Sequence, residues 1–268
     1  MNSVLLGLLS IALYLLASGL LVMRLAQGTA TGSRQLNHPV LIAQIAILAL
    51  ALLLYPAIIT PLGLNLGFVH AASLIALTSA LLLAVSAFFQ PVANLGIAVF
   101  PAAAVTIGLL LSHPSRHLVA GSSWQLDTHI LASLLAYSIL GLAVLQAILL
   151  SIQDHHLRNR KPGGFIRALP PLAVMESLLY QMIATGFALL TLALVTGFLF
   201  LEDIFAQHLV HKTTLSIIAW IVFGILLWGR WRFGWRGRTA LRWTIGGFIF
   251  LMLAYFGSKF VLELVLQN

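Results

Sequence analysis

The side chains best equipped for chemistry in this sequence are its nine histidines, and it has no cysteine to join them. A neutral imidazole offers a good lone pair to iron, copper or zinc, whereas thiolate ligation, thiol redox and disulfides are ruled out. Three histidines stand at the start of apolar stretches: His70, His129 and His211 open the third, fifth and seventh. Imidazoles from separate helices are thereby set at similar depth, and two axial imidazoles can hold a haem iron. His208 and His211 are three apart, on one helical face, but no glutamate accompanies them as in a zinc protease. Lys212 follows directly and has two readings: it snorkels to the membrane surface, or it meets a carboxylate such as Glu202, Asp203 or a ligand's acid group.

These residues need a scaffold, and composition specifies it. The chain is 61% hydrophobic and 7% charged, with mean hydropathy +1.05. A soluble domain carries about 25% charged residues. Continuous apolar runs near twenty residues long meet the length requirement of membrane helices and lack the alternation of a membrane barrel. The sequence predicts an all-α polytopic membrane bundle of eight spans, a single membrane domain over residues 1–268. The spans run from Val4 to Met23, Val40 to Ile59, Phe68 to Phe88, Leu95 to Leu111, His129 to Ile152, Leu179 to Leu201, His211 to Trp228 and Trp243 to Phe260. One short helix is expected in the long loop before the sixth. The N-terminal stretch lacks a positive leader, its first charge being Arg24, and reads as a retained span.

Eleven of the fourteen Lys and Arg residues follow odd-numbered spans; only Arg116, Lys212 and Lys259 lie on the other side. The positive-inside rule then places the odd loops in the cytoplasm and both termini outside. On this reading His70, His113, His117, His129, His208 and His211 share the outer side, while His38, His155 and His156 are cytoplasmic. Arg230, Arg232, Arg236, Arg238 and Arg242, flanked by Trp228, Trp231, Trp235 and Trp243, read mainly as an interfacial topology anchor, the alternative being a binding role for a cytoplasmic partner or anionic lipid. The net charge of +8 sits in short loops at helix ends, which argues against nucleic acid.

Taken singly, many of these residues have ordinary roles. His113, His117 and His208 read as wet loop residues, and His70 as a hydrogen-bonded residue facing the bundle. Lys259 and Glu263 are four apart and can pair. Glu176 is placed to cap or pair at the cytoplasmic face. His129 and His211 are evenly balanced between such a role and a ligand role. No phosphate-binding glycine loop, no serine hydrolase arrangement and no pair of intramembrane aspartates is visible, so no catalytic activity of the chain's own is expected.

Three stretches together resemble the cytochrome c assembly protein family. "ESLLYQMIATGFALLTLALVTG" (176–197) is similar to that family's acidic residue and L-x-Y stretch ahead of a G-x-x-LLTL run. "THILASLLAYSILGLAVLQAILL" (128–150) resembles its helix that opens on histidine and carries a serine–tyrosine pair, here in the reversed order Tyr137–Ser138, and "LAYFGSKFV" (253–261) resembles its last-helix segment. The order is kept from 129 to 261, the assembly-like region is about 66–264, and the likeness is greatest to the branch of HemX-like and YpjD-like proteins. The resemblance implies an eight-helix fold of the bacterial inner membrane that handles haem at its outer face, alongside other assembly components. By position, it implies His129 as an axial ligand, Lys212 near the haem propionates and Trp220 in the pocket. The chain departs from the family at "LEDIFAQHLVHKTT" (201–214), which has no tryptophan and carries His211 where the family has proline. Trp228 replaces a membrane histidine, and no histidine follows the last segment. The implied partner of His129 on the iron is therefore another histidine, His211 or His70.

Two further readings stay open. One is a scaffold or regulatory subunit whose loop 153–175 binds a cytoplasmic or membrane partner. The other is a small-molecule transporter, which would call for ionisable groups at mid-membrane depth, where Gln44 is the main polar residue.

Overall fold

Helices dominate because lipid leaves a backbone no partner but itself. The computed structural model describes residues 3–27, 38–61, 63–112, 118–119, 124–159, 163–200 and 207–257. Among them, eight helices are long and apolar enough to cross a membrane. They are α1 (Ser3–Ala26), α2 (His38–Ile58), α3 (Phe68–Ser86), α4 (Gly96–Ser112, entered through a 3₁₀ turn at Ala93–Leu95), α5 (Trp124–Arg158), α6 (Leu172–Phe200), α7 (Gln207–Phe233) and α8 (Arg238–Met252), the last continued by a π-helical turn at Leu253–Gly257. The expected spans are all present. Three helices clearly outrun them: α5 has 35 residues, α6 has 29 and α7 has 27. A bilayer core requires about 20 residues, so hydropathy marks where lipid ends, not where the helix does. The short helix expected before the sixth span is a 3₁₀ turn at Gly164–Ala168.

The chain divides into two compact units. The first comprises residues 1–120 and 152–174. Here α1 packs on α2 and α4, and α3 packs on α2 and α4. Small polar side chains join the helices by bonding to carbonyls: Ser10 Oγ donates to Ala46 O (2.9 Å), and Ser73 Oγ to Thr106 O (3.3 Å). Pro101 lies inside α4 and has no N–H to give Ile97, four residues back. Ser18 Oγ of α1 donates to that Ile97 carbonyl at 3.2 Å. Tyr14 and Phe100 stack beside it, both buried.

The first unit also holds the strands among the described residues, three short antiparallel segments: β1 (Ile59–Thr60), β2 (Gly63–Asn65) and β3 (Leu118–Val119). Ile59 pairs with Leu64, and Leu64 with Val119. The sheet ties the loop after the second span to the loop after the fourth. At the other loops of this unit, Gln153 Nε2 donates to Pro170 O (2.9 Å), folding the long loop back on the end of α5.

The second unit, residues 121–151 and 175–268, is built from the body of α5, most of α6, α7 and α8. Gly186 of α6 meets Leu140 of α5 so closely that an added Cβ would lie 2.6 Å from the leucine side chain. Tyr137 of α5 donates its hydroxyl to Leu251 O, where α8 runs into the π turn and the regular ladder is interrupted. Its ring meets Tyr255 and Phe256 edge-on, at 6.0 and 6.5 Å. The tyrosine of 128–150 and the YFG of 253–261 are thus parts of one packing contact.

Candidate functional site

Within the second unit, one stretch of α6 from Phe187 to Thr196 gathers polar contacts from two other helices. Thr191 and Thr196 first satisfy their own hydroxyls, donating to carbonyls one turn back: Thr191 Oγ1 to Phe187 O (2.8 Å) and Thr196 Oγ1 to Leu192 O (2.8 Å). Their oxygen lone pairs remain as acceptors. Trp220 of α7 uses one, its Nε1–H donating to Thr191 Oγ1 at 2.8 Å. Its ring stacks on Phe187, with centroids 5.4 Å apart and planes at 18°.

His129, near the start of α5, approaches the same stretch. Its Nδ1 lies 2.8 Å from Ala193 O and 3.4 Å from Thr196 Oγ1. A carbonyl can only accept, so Nδ1 carries the hydrogen. A neutral ring then keeps its lone pair on Nε2. This outer hydrogen bond is the kind that fixes tautomer and orientation in a metal-ligating histidine and makes its other nitrogen more basic. The ring is half-buried.

The other expected site residues fall as follows. His211 is exposed near the beginning of α7, nine residues before Trp220 and so about 13 Å away along the helix. Lys212 beside it is half-buried and engaged in an interaction of its own. His70 belongs to the first unit; it is 4% exposed, in the first turn of α3, and also has an interaction partner. Its helix follows β2 directly, with Asn65 Oδ1 accepting from Gly67 N at 3.3 Å. The second unit therefore holds His129, His211, Lys212 and Trp220, with His129 and Trp220 fastened to one segment of α6. His113, His117, Glu202, Asp203 and the Lys259–Glu263 pair lie outside the described residues, as does the side chain of His208. Among the described residues, no three of His, Asp and Glu stand close enough to hold a bare metal ion. Haem asks less of a protein, because the porphyrin supplies four of the iron's ligands.

At the other end of α6, Glu176 bonds Arg230 Nη1 (2.9 Å) and Arg236 Nε (3.3 Å). Arg230 lies over the Tyr180 ring, 4.6 Å from its centroid, and Tyr180 donates its hydroxyl to Trp235 O at 2.6 Å. That Glu176 pairs was legible from its position. Its partners, 54 and 60 residues away, were not.

Comparison with known proteins adds one family and three relatives. A family model described as "Cytochrome C assembly protein" matches residues 38–266. The inner membrane protein YpjD of Escherichia coli (strain K12) is 32% identical over 204 residues, covering 76% of this chain and 77% of that protein. Protein HemX of Brevibacillus brevis is 23% identical over 138 residues, 51% of each chain, and the cytochrome c biogenesis protein CcsA of Gloeobacter violaceus is 28% identical over 103 residues, 38% of this chain and 30% of that one. No solved structure matches.

Proposed function

Since the chain belongs to the cytochrome c assembly protein family, we propose that it acts in cytochrome c biogenesis by holding haem near the outer end of its second unit. Eight spans and the likeness to an inner membrane protein make it a multi-pass protein of the bacterial inner membrane. The observation that carries the haem reading is the tether of His129: Nδ1 committed to Ala193 O at 2.8 Å, which leaves Nε2 as the free base.

In this proposal the axial pair is His129 and His211, imidazoles of α5 and α7. The Ala193 carbonyl orients the first ring and fixes its tautomer. Trp220, pinned by Thr191 and Phe187, provides a flat apolar wall of fixed orientation. Lys212 offers an ammonium to the propionates. Haem, when bound, supplies the redox-active iron; the protein's part is to bind it, orient it and set its ligands. His70, buried in the first unit, serves as a structural residue.

Visible spectra of the purified full-length protein, oxidised and reduced, test the reading. Protein from haem-replete cells should show a six-coordinate bis-histidine spectrum. His129→Ala should abolish it, and His211→Ala should convert it to a five-coordinate form. A colourless wild type that takes up no added haem overturns the proposal, as does a spectrum unchanged in His129→Ala.

A further inference from the structure

Where α7 passes into α8 stand five arginines, Arg230 and Arg232 at the end of α7, Arg236 in the turn, and Arg238 and Arg242 in α8, and the turn's conformation is fixed from within. Gly234 and Gly237 take positive φ (66° and 56°), a region open to glycine, and so reverse the chain within a few residues. Between them Trp235 is locked in place. Its carbonyl accepts from Tyr180 and, at 3.3 Å, from Arg230, while its ring lies against Phe233 (6.3 Å) and Trp243 (5.4 Å).

The charge of this turn is not balanced. Glu176 engages Arg230 and Arg236. Arg232, Arg238 and Arg242 are exposed, and among the described residues none of them has an ion pair. Five arginines less one glutamate leave four positive charges in this short segment. Arg238 and Arg242 are four apart on α8 and so lie on one face, a helical turn from each other. Alongside, Trp228, Phe233 and Trp231 are exposed, Trp231 to 83%. One membrane-spanning helix ends at Phe233 and the next begins at Arg238, so the whole platform stands at the bilayer boundary. Indole rings favour headgroup depth, and a guanidinium forks onto a phosphate in a bidentate way.

We infer that this platform is a binding site for anionic phospholipid, with Arg232, Arg238 and Arg242 holding the headgroup phosphate and Trp228 and Trp231 seated against the upper acyl chains. A zwitterionic headgroup brings its own cation and gains less. The site is independent of the haem reading and rests on none of its residues.

Native mass spectrometry of the full-length protein in neutral detergent, titrated with phosphatidylglycerol or phosphatidylcholine, provides the test. The wild type should retain phosphatidylglycerol preferentially and gain thermal stability from it. Each arginine removed should weaken binding about fivefold, so that R232Q/R238Q/R242Q loses on the order of 100-fold. R158Q, whose arginine already pairs with Asp154 at 2.9 Å, should leave binding unchanged. Should the triple variant fail to fold, a salt titration of the wild type decides, because the preference must shrink as ionic strength rises from about 0.05 to 0.5 M. Equal retention of the two lipids overturns the inference. So does a salt-insensitive preference, an equal loss in R158Q, or the same stabilisation by inorganic phosphate alone.

Discussion

For a side chain in lipid, the question that decides its behaviour is where each hydrogen goes. Thr191 answers it twice, donating to Phe187 O and accepting from Trp220 Nε1. The two ends of that second bond are unequal in consequence. Thr191→Val keeps the shape but leaves an indole N–H without its acceptor, whereas Trp220→Phe removes the donor and keeps the stack on Phe187. An N–H left without any acceptor costs more than a hydroxyl that loses one incoming bond while its own hydrogen stays bonded to Phe187 O. Thr191→Val should therefore destabilise by about 1–2 kcal/mol and Trp220→Phe by about half that, compared by thermal unfolding in one detergent; membrane hydrogen bonds average about 0.6 kcal/mol, which sets the floor. Trp220→Phe costing the more would show the stack, not the bond, to hold this contact. The same accounting separates what could be read of His129 from what could not. Its place at the mouth of a span is visible in the sequence. The position of its proton depends on Ala193, 64 residues further on, and only the approach of α5 to α6 reveals it.

Elements are joined where one repairs a defect in another. Pro101 deprives Ile97 O of its helical donor, and Ser18 of α1 replaces it at 3.2 Å. Ser18→Ala should thus cost about 0.5–1 kcal/mol in the native background and much less beside Pro101→Ala, which restores an N–H four residues on. The coupling is read from a double-mutant cycle of unfolding free energies; two fully additive effects would mean that Ser18 does not fill the proline gap. A second joint is Glu176. Its carboxylate is largely buried, Arg230 is partly so and Arg236 is mostly exposed. Glu176→Gln should cost about 1–3 kcal/mol and Arg236→Gln under about 1 kcal/mol, since an exposed cation is screened by solvent whereas a part-buried one left alone is not. Limited proteolysis at the α7–α8 turn, together with unfolding, would register the difference, and equal effects would count against a special role for Arg230. Helix count and order were legible here because bilayer thickness imposes them. The start of α6 at Leu172, seven residues before the expected Leu179, was not legible from hydropathy, although Pro170 and Pro171 favour a helix beginning just after them. The three-stranded sheet was not legible: strands of two or three residues carry no period, and their pairing joins loops distant in sequence.

The molecule as a whole is read most simply from its charges. The family match at 38–266 runs through helices of both compact units and leaves α1 outside it, so neither unit alone corresponds to the shared module. Eight spans in order put successive loops on alternating sides, and eleven of the fourteen Lys and Arg residues follow odd spans. We therefore propose that both termini face outward and that the platform of Trp228 to Arg242 faces the cytoplasmic leaflet, which is the leaflet rich in anionic surface charge. The same orientation sets His129 and His211 on the outer side. The absence of cysteine makes the arrangement directly testable, since any thiol introduced is the only one present. Phe89→Cys and Asn159→Cys, at exposed positions after the third and fifth spans, should react with a membrane-impermeant maleimide only once the membrane is opened. Trp124→Cys, exposed at the beginning of α5, should react in intact spheroplasts. The reverse pattern would invert the protein, removing both an outward haem site and a cytoplasmic lipid platform. Labelling of Phe89→Cys and Asn159→Cys from opposite sides would break the span order itself.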